Sequence, residues 1–210
     1  MIPDQKTLWN KKHSNNDLSH YRHEGVPFAK LASKHFPDNA QVLELGCGAG
    51  GDALFFAKQG LSVVATDFSE VVITQNQKHV KQNNLVFQAV DISQPLPFND
   101  AEFDVVYAHL SLHYYNDRDT RKIISEIHRV LKPKGILAFA CKSTKDRTYG
   151  QGEEIEKNIF LHEDHIRHLF DIHYTKDILQ SKFGIIKLDE VDNEYADHDS
   201  VFIQCIATKL

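Results

Sequence analysis

Short apolar runs alternate along the chain with segments that have helical spacing. Val42, Leu43 and Leu45 form a run of the kind that a buried parallel strand uses. Ala53–Ala57 continues with helical character, so the pattern predicts a strand, a turn and a helix in that order. In the same way, the chain predicts strands at 61–66, 85–90, 103–108 and 136–141, with helices at 52–59, 71–82 and 117–130 between them.

The turn after the first run is rich in glycine. Gly46, Gly48 and Gly50 stand at every second position, as a tight turn with a ligand against bare backbone requires. The N–H groups that open the following helix have no intrahelical partner and can face that ligand.

Two classes of cofactor fit this turn. Gly46, Gly48 and Gly51 satisfy the dinucleotide pattern G-x-G-x-x-G, and Asp67 follows at about the expected 20 residues. Glu44, however, lies inside the apolar run, where a carboxylate is costly to bury without a partner. An acid beside the turn would repel the pyrophosphate of NAD, whereas a ligand with a cationic or ammonium group could use it.

Val42–Gly50 resembles the first motif of the class I S-adenosylmethionine-dependent methyltransferases, hydrophobic-hydrophobic-acid-hydrophobic-G-x-G-x-G, at every position. The resemblance continues through Asp67, Asp91, Phe103–Tyr114 and Leu131–Leu137, and it covers about 40–140. It implies a Rossmann-like, doubly wound α/β fold with a seven-stranded, mostly parallel sheet and an antiparallel C-terminal edge strand.

The resemblance also implies a site for S-adenosylmethionine. It assigns Asp67, at the end of the second strand, to the ribose hydroxyls, and Asp91 with Ile92 to the adenine. The full set of predicted cofactor-binding residues is Glu44, Gly46, Cys47, Gly48, Gly50, Asp67, Phe68, Asp91, Ile92 and His109.

The acceptor end of the site is less clear in the sequence. His109 and His113 follow the fourth strand and are candidates to accept a proton, and a packing or backbone-contact role is the alternative for each. N-terminal segments of the family often fold over the cofactor, which makes Trp9, Tyr21 and Arg22 candidates for substrate binding.

The segment 143–170 reads as an irregular cover over the site. His162, His165 and His168 invite a metal interpretation, but Asp171 suits the N-cap of a helix at 172–182, which leaves 165–170 extended. His165 and Arg167 would then share one face, with His168 on the other. We therefore expect no metal site and take His165 and Arg167 as substrate-binding candidates.

The predicted organisation is a single methyltransferase domain over 1–210. It comprises an N-terminal extension at 1–39, a cofactor-binding core at 40–142, the irregular cover at 143–170, and a C-terminal helix and strand hairpin at 171–210. The hairpin is predicted from alternating apolar and polar residues at 183–190 and 200–209.

Composition narrows the partners. The net charge of −5 and the lack of a basic block argue against nucleic acid bound through phosphates. Three widely spaced cysteines argue against a disulfide framework. Neither a secretory leader nor a membrane span is visible, so we expect a cytoplasmic monomer or homodimer.

The predicted function is methyl transfer from S-adenosylmethionine to a nucleophilic acceptor, most consistent with a small molecule because of the compact size. Partial resemblance extends to thiopurine-type and tellurite-resistance-type enzymes. A non-catalytic protein that binds the cofactor and an NAD-binding oxidoreductase stay open as alternatives.

Overall fold

The protein was analysed as a computed structural model that describes residues 5–15, 25–192 and 200–210. Its main sheet has seven strands in the order β3-β2-β1-β4-β5-β10-β9. The strands are β1 (Gln41–Leu45), β2 (Ser62–Asp67), β3 (Leu85–Ala89), β4 (Phe103–His109), β5 (Leu131–Lys142), β9 (Phe183–Asp192) and β10 (Val201–Lys209).

The first five strands run parallel, as the alternation of strands and helices predicted. β10 is antiparallel to both β5 and β9, so the antiparallel strand is the second from the edge and β9 is the edge itself. The predicted fold class is confirmed, including the hairpin of the last two strands.

Helices cover both faces of this sheet. The helices are α1 (Gln5–Asn15), α2 (Pro27–Ala32), α3 (Gly51–Lys58), α4 (Glu70–His79), α5 (Asp117–Val130) and α6 (Ile172–Leu179). Side chains alternate across β1, so Val42 packs in one apolar cluster with α2, α3 and α4, and Leu43 packs in another with α5 and α6. This arrangement leaves the carboxyl ends of the parallel strands as the place where a ligand can enter.

Several boundaries differ from the predicted ones. α4 ends at His79 because Val80 is already extended, with φ −106° and ψ 119°, and α6 ends at Leu179. β5 begins at Leu131, which pairs with Phe103 of β4. The register then shifts, and regular pairing resumes at Ile136, which is opposite Val105. Lys134, between these two pairs, has φ 64°, in the left-handed region. From the sequence, this segment was predicted to be a turn that precedes the strand.

The expectation of an irregular cover at 143–170 is wrong for its second half. Residues 153–168 form a three-stranded antiparallel sheet of β6 (Glu153–Glu156), β7 (Ile159–His162) and β8 (His165–His168). Its turns use non-glycine residues in the left-handed region, Asn158 at φ 61° and Glu163 and Asp164 at φ 48° and 65°. Such turns carry weaker sequence signals than glycine turns do, which explains why the strands were missed. His165 lies on the opposite face from the buried His168, as predicted.

Among the described residues, no helix is long and apolar enough to cross a membrane. The three cysteines are free and buried.

Candidate functional site

A cavity of about 380 Å³ lies at the carboxyl ends of the parallel strands. Its walls come from the ends of β1 and β2, the segments after β3 and β4, helix α1 and strand β8. The lining residues are Gln5, Trp9, His13, Gly46, Gly48, Asp67, Phe68, Val90, Asp91, Ile92, Ser93, Leu110, Ser111, Tyr114, Tyr115, Asn116, Asp119 and Ile166.

The glycine turn forms the floor of this cavity. Gly46, at φ 79°, is packed so tightly that an added Cβ would lie 2.4 Å from the Cβ of Ser111. Gly50, at φ 77°, would meet the Phe87 ring at 2.8 Å and does not line the cavity. A Cβ on Gly48 would meet no atom within 4 Å, so this residue leaves bare backbone facing open space. Two of the glycines thus serve packing, and Gly48 serves access to the backbone.

Asp67 ties the end of β2 to the glycine turn. Its two carboxylate oxygens accept hydrogen bonds from the backbone N–H groups of Gly48 and Ser69, each at 2.9 Å. Burial raises the pKa of Asp67, and the two hydrogen bonds only partly oppose this effect. Asp67 and its neighbour Phe68 both line the cavity, where the resemblance predicted them.

Glu44 is almost fully buried beneath the same turn and is not among the lining residues. Its Oε2 atom has no hydrogen-bond partner among the described residues. Burial raises the pKa of Glu44 well above its usual value, and the nearby carboxylates of Asp52 and Asp67 raise it further. A buried acid with one unpartnered oxygen, next to two other acids, fits a ligand that brings a positive charge and does not fit an anionic pyrophosphate.

Cys47 follows the tight turn into the core. Its side chain is buried, and its Sγ atom lies 4.0 Å from Nδ2 of Asn76. The structure therefore leaves Cys47 out of the cavity lining, and only its backbone belongs to the turn.

Asp91 and Ile92 line the cavity after β3, at the position predicted for adenine contacts. The Oδ1 atom of Asp91 accepts hydrogen bonds from the backbone N–H and the hydroxyl of Ser93, at 2.9 and 2.7 Å. This turn leaves the other carboxylate oxygen, Oδ2, with no hydrogen bond shown among the described residues, as an adenine amino group would need.

The segment after β4 contributes residues that sequence reasoning missed. Leu110 has φ 54°, and the Ser111 hydroxyl donates to the Leu45 carbonyl at 2.7 Å. Tyr114, Tyr115 and Asn116 follow in the cavity wall. The adjacent aromatic residues Tyr114 and Tyr115 are the signal in the sequence that could have indicated this wall, whereas the prediction was based on His109 and His113.

Those histidines do not line the cavity. His109 packs beside Phe28 and Tyr107, with ring centroids 6.3 and 6.4 Å away. His113 is buried behind Tyr114 at 4.3 Å between ring centroids, and burial lowers its pKa well below the usual value. Neither His109 nor His113 is among the lining residues, and a general-base role for either stays a prediction.

Helix α1 closes one side of the cavity. Lys6 pairs with Glu70 at 2.7 Å, and the Ser69 hydroxyl donates to Oδ1 of Asn10 at 2.7 Å, which docks α1 on the start of α4. Trp9 lines the cavity as predicted, and His13, which was not predicted, lines it beside Asp67. The candidates Tyr21 and Arg22 lie outside the described residues.

Strand β8 lies against α1 and contributes to the same part of the cavity wall. Ile166 lines the cavity, and the His165 ring lies 5.1 Å from Trp9. The Arg167 guanidinium stacks over Tyr114 at 4.8 Å from the ring centroid. His165 and Arg167 therefore lie at the rim rather than in the lining. No group of three or more metal-ligating side chains within the described ranges is placed to hold an ion.

Comparisons with known proteins agree with this geometry. A family model for a methyltransferase domain matches residues 42–135. An uncharacterized methyltransferase of Synechocystis sp. is 37% identical over 118 residues, which are 56% of this chain and 53% of that protein. The matched region spans between 38% and 53% of the first three curated relatives, so the chain spans about half or less of their length.

Two solved structures share the fold across nearly the whole chain. A SAM-dependent methyltransferase of Methanosarcina mazei superposes with a TM-score of 0.76 at 22% identity, covering 89% of this chain and 99% of that one. The 1,6-didemethyltoxoflavin-N1-methyltransferase of Burkholderia thailandensis, solved with its substrate and S-adenosylhomocysteine, superposes with a TM-score of 0.74 at 19% identity, covering 97% and 84%. Residues 42–135 therefore match a methyltransferase domain, and the chain has the fold of these two solved methyltransferase structures.

Proposed function

We propose that this protein transfers a methyl group from S-adenosylmethionine to a small-molecule nucleophile. The observation that carries the proposal is the cavity at the strand ends, in which the bare backbone of Gly48 and the carboxylates of Asp67 and Asp91 converge. These are the hydrogen-bonding groups that a ribose and an adenine amino group need, in the order in which the resemblance places them.

The residues present fit the cofactor. Asp67 would accept hydrogen bonds from the ribose hydroxyls, and Asp91 would accept one from the adenine amino group. The oxygen of Glu44 that has no partner among the described residues would attract the positively charged ammonium group of the ligand. S-adenosylmethionine supplies a methyl group that is already activated by its positive sulfur.

The chain itself would act by alignment and by exclusion of water. Helix α1 and strand β8 both border the cavity, with Trp9, Tyr114 and Ile166 in its wall. Holding the acceptor in line with the methyl group can account for much of the rate enhancement. With His109 and His113 outside the lining, we assign no general base to them, so the acceptor is expected to arrive as an anion or an uncharged nucleophile.

A small acceptor suits a cavity that two separate elements, α1 and β8, border. Since α1 and β8 both contribute to the same cavity, we infer that the N-terminal helix and the small sheet belong to one domain with the core. The cytoplasmic location and the monomeric or homodimeric state are proposals carried by the sequence.

A labelled-methyl assay tests this function. Purified protein with S-adenosylmethionine that carries a labelled methyl group is incubated separately with small-molecule extract, protein and RNA. We expect label to enter the small-molecule fraction only. Label in protein or RNA would contradict the small-molecule acceptor, and cofactor binding without transfer into any fraction would favour a non-catalytic binding role.

A further inference from the structure

Arg167 is the half-buried cation at the rim of the cavity. Its guanidinium stacks on Tyr114, whose ring lines the cavity, at 4.8 Å from the ring centroid. No carboxylate of the described residues lies within ion-pair distance of it. Within the described residues, the contact shown for its guanidinium is aromatic, and no hydrogen bond from its N–H donors is shown there.

Other arginines of the described chain are treated differently. Arg121 is paired with Asp117 and Asp177 on the surface of α5. Arg129 is paired with Glu126 and Asp100. The contrast matters because a half-buried guanidinium without a counter-ion bears a desolvation cost that an incoming anion can offset.

A second cation stands beside it. Lys12, on α1, lies over the Trp9 ring at 4.5 Å from the centroid. It has no carboxylate within ion-pair distance among the described residues, and the positive charge of Arg167 lowers its pKa after the effect of burial. The positive charges of Lys12 and Arg167 therefore repel each other across the junction of α1 and β8.

The surrounding charges leave this junction positive. Glu163 and Asp164 lie exposed in the turn before β8, and they raise the pKa of His165 less than Arg167 and Lys12 lower it. His113, on the other side of Tyr114, has its pKa lowered by burial and then by cations, with Arg167 first among them. Lys142 forms an ion pair with Asp146 at 2.8 Å. Of the two positively charged side chains, Arg167 therefore has the larger effect on the pKa of His113.

The Nδ1 atom of His165 adds a polar group at the same place. It is buried and has no hydrogen-bond partner among the described residues. Its ring packs against Trp9 and Tyr114, with centroids 5.1 and 6.3 Å away. Aromatic rings, an imidazole nitrogen without a partner among the described residues and a guanidinium thus meet at the rim of the cavity, where α1 and β8 are in contact.

We propose that the methyl acceptor is a planar small molecule that carries a carboxylate, bound by Arg167 and Lys12 at the junction of α1 and β8. This inference rests on the proposed function and adds the chemical class of its acceptor. The fork of a guanidinium matches the two oxygens of a carboxylate, and Trp9 and Tyr114 offer flat surfaces to a ring.

Trp9 gives a direct readout, because it is the only tryptophan in the chain and lies in the cavity wall. The protein is first saturated with S-adenosylhomocysteine, and Trp9 fluorescence is then followed during titration with benzoate, benzamide or benzylamine. These probes share a ring and differ in charge. The same titrations are run on Arg167→Gln, on Arg167→Lys and on Arg147→Gln, which removes an exposed arginine from outside the cavity lining.

We expect benzoate to bind more tightly than either other probe. Arg167→Gln should weaken benzoate binding by about 10- to 100-fold, as loss of a charged hydrogen bond does, Arg167→Lys should weaken it less, and Arg147→Gln should not change it. Absence of saturable benzoate binding, equal binding of benzamide, or an Arg167→Gln variant that binds like the native protein would overturn the inference. Failure of S-adenosylhomocysteine to bind in the first step would instead count against the proposed function.

Discussion

At the scale of single residues, the site holds two acids under unfavourable conditions. Glu44 and Asp67 are both buried, and burial raises the pKa of each. Asp67 is compensated by two backbone hydrogen bonds, whereas Oε2 of Glu44 has no partner among the described residues. Residues that destabilise the folded chain in this way are typical of binding sites, where the ligand completes the arrangement.

Glu44→Gln should therefore stabilise the unliganded protein. Because the folded-state pKa of Glu44 lies above the usual 4.5, the unfolded chain loses this proton first as the pH rises, and the free energy of unfolding falls. We expect the free energy of unfolding of the variant to exceed that of the native protein by about 1–3 kcal/mol near pH ~8 and by much less near pH ~5. Urea unfolding at both pH values measures the difference.

The matched control is Glu153→Gln, which changes an exposed glutamate and should have no such pH-dependent effect. An equal gap between Glu44→Gln and the native protein at both pH values would mean that Glu44 is not held at a raised pKa. The same Glu44→Gln change should weaken binding of S-adenosylhomocysteine, so stability and affinity should move in opposite directions.

The sequence predicted the residues of the floor and missed several of those in the walls. Gly46, Gly48 and Asp67 belong to a local strand-turn-helix pattern, and their positions follow from neighbours a few residues away. His13 and Ile166 reach the cavity from elements that are distant in the chain. No local pattern shows that α1 and β8 meet over the strand ends, so these residues could not be assigned.

At the scale of elements, α1 is held over the site by polar contacts at its first two turns. The Ser69 hydroxyl accepts from Val72 N–H as the N-cap of α4 and donates to Asn10 of α1. The backbone N–H of Ser69 also donates to Asp67. The docking of α1 is thus linked through one serine to Asp67, the acid that we propose binds the ribose.

Asn10→Ala should loosen α1 without altering the core. Loss of one net hydrogen bond of about 1 kcal/mol predicts that amide hydrogen exchange in α1 becomes about fivefold faster. Mass-spectrometric hydrogen exchange on the peptide that contains α1 measures this. Ser14→Ala is the control, because the hydrogen bond that Ser14 makes among the described residues goes to the Asn10 carbonyl of the same helix. Identical exchange in the two variants would show that the Ser69 contact does not hold α1.

The small sheet at 153–168 marks the limit of prediction for elements. The spacing of His165, Arg167 and His168 correctly indicated an extended strand with two faces. The pairing of that strand could not be predicted, because residues other than glycine, Asn158, Glu163 and Asp164, take the left-handed backbone conformation in its turns. The acid N-cap Asp171 was recognised, and its side chain accepts from the N–H of Tyr174 as expected.

At the scale of the whole molecule, the sheet order brings four parallel strand ends to one edge. β1 lies between β2 and β4, so the glycine turn, Asp67 and the segment after β4 become neighbours. β3 adds Asp91 beside β2. The order of motifs along the chain predicted this convergence, since right-handed connections between parallel strands leave few other arrangements.

Binding of the donor product is the central claim at this scale. Isothermal titration of the native protein with S-adenosylhomocysteine, and in parallel with NAD, measures it directly. Asp67→Asn and Asp38→Asn provide the matched pair, because Asp38 is an exposed acid that does not line the cavity.

We predict saturable binding of S-adenosylhomocysteine and no binding of NAD by the native protein. Asp67→Asn should lose about 10- to 100-fold in affinity, as expected when hydrogen bonds to a charged group are removed, and Asp38→Asn should bind like the native protein. Preference for NAD, or an Asp67→Asn variant with native affinity, would contradict the account.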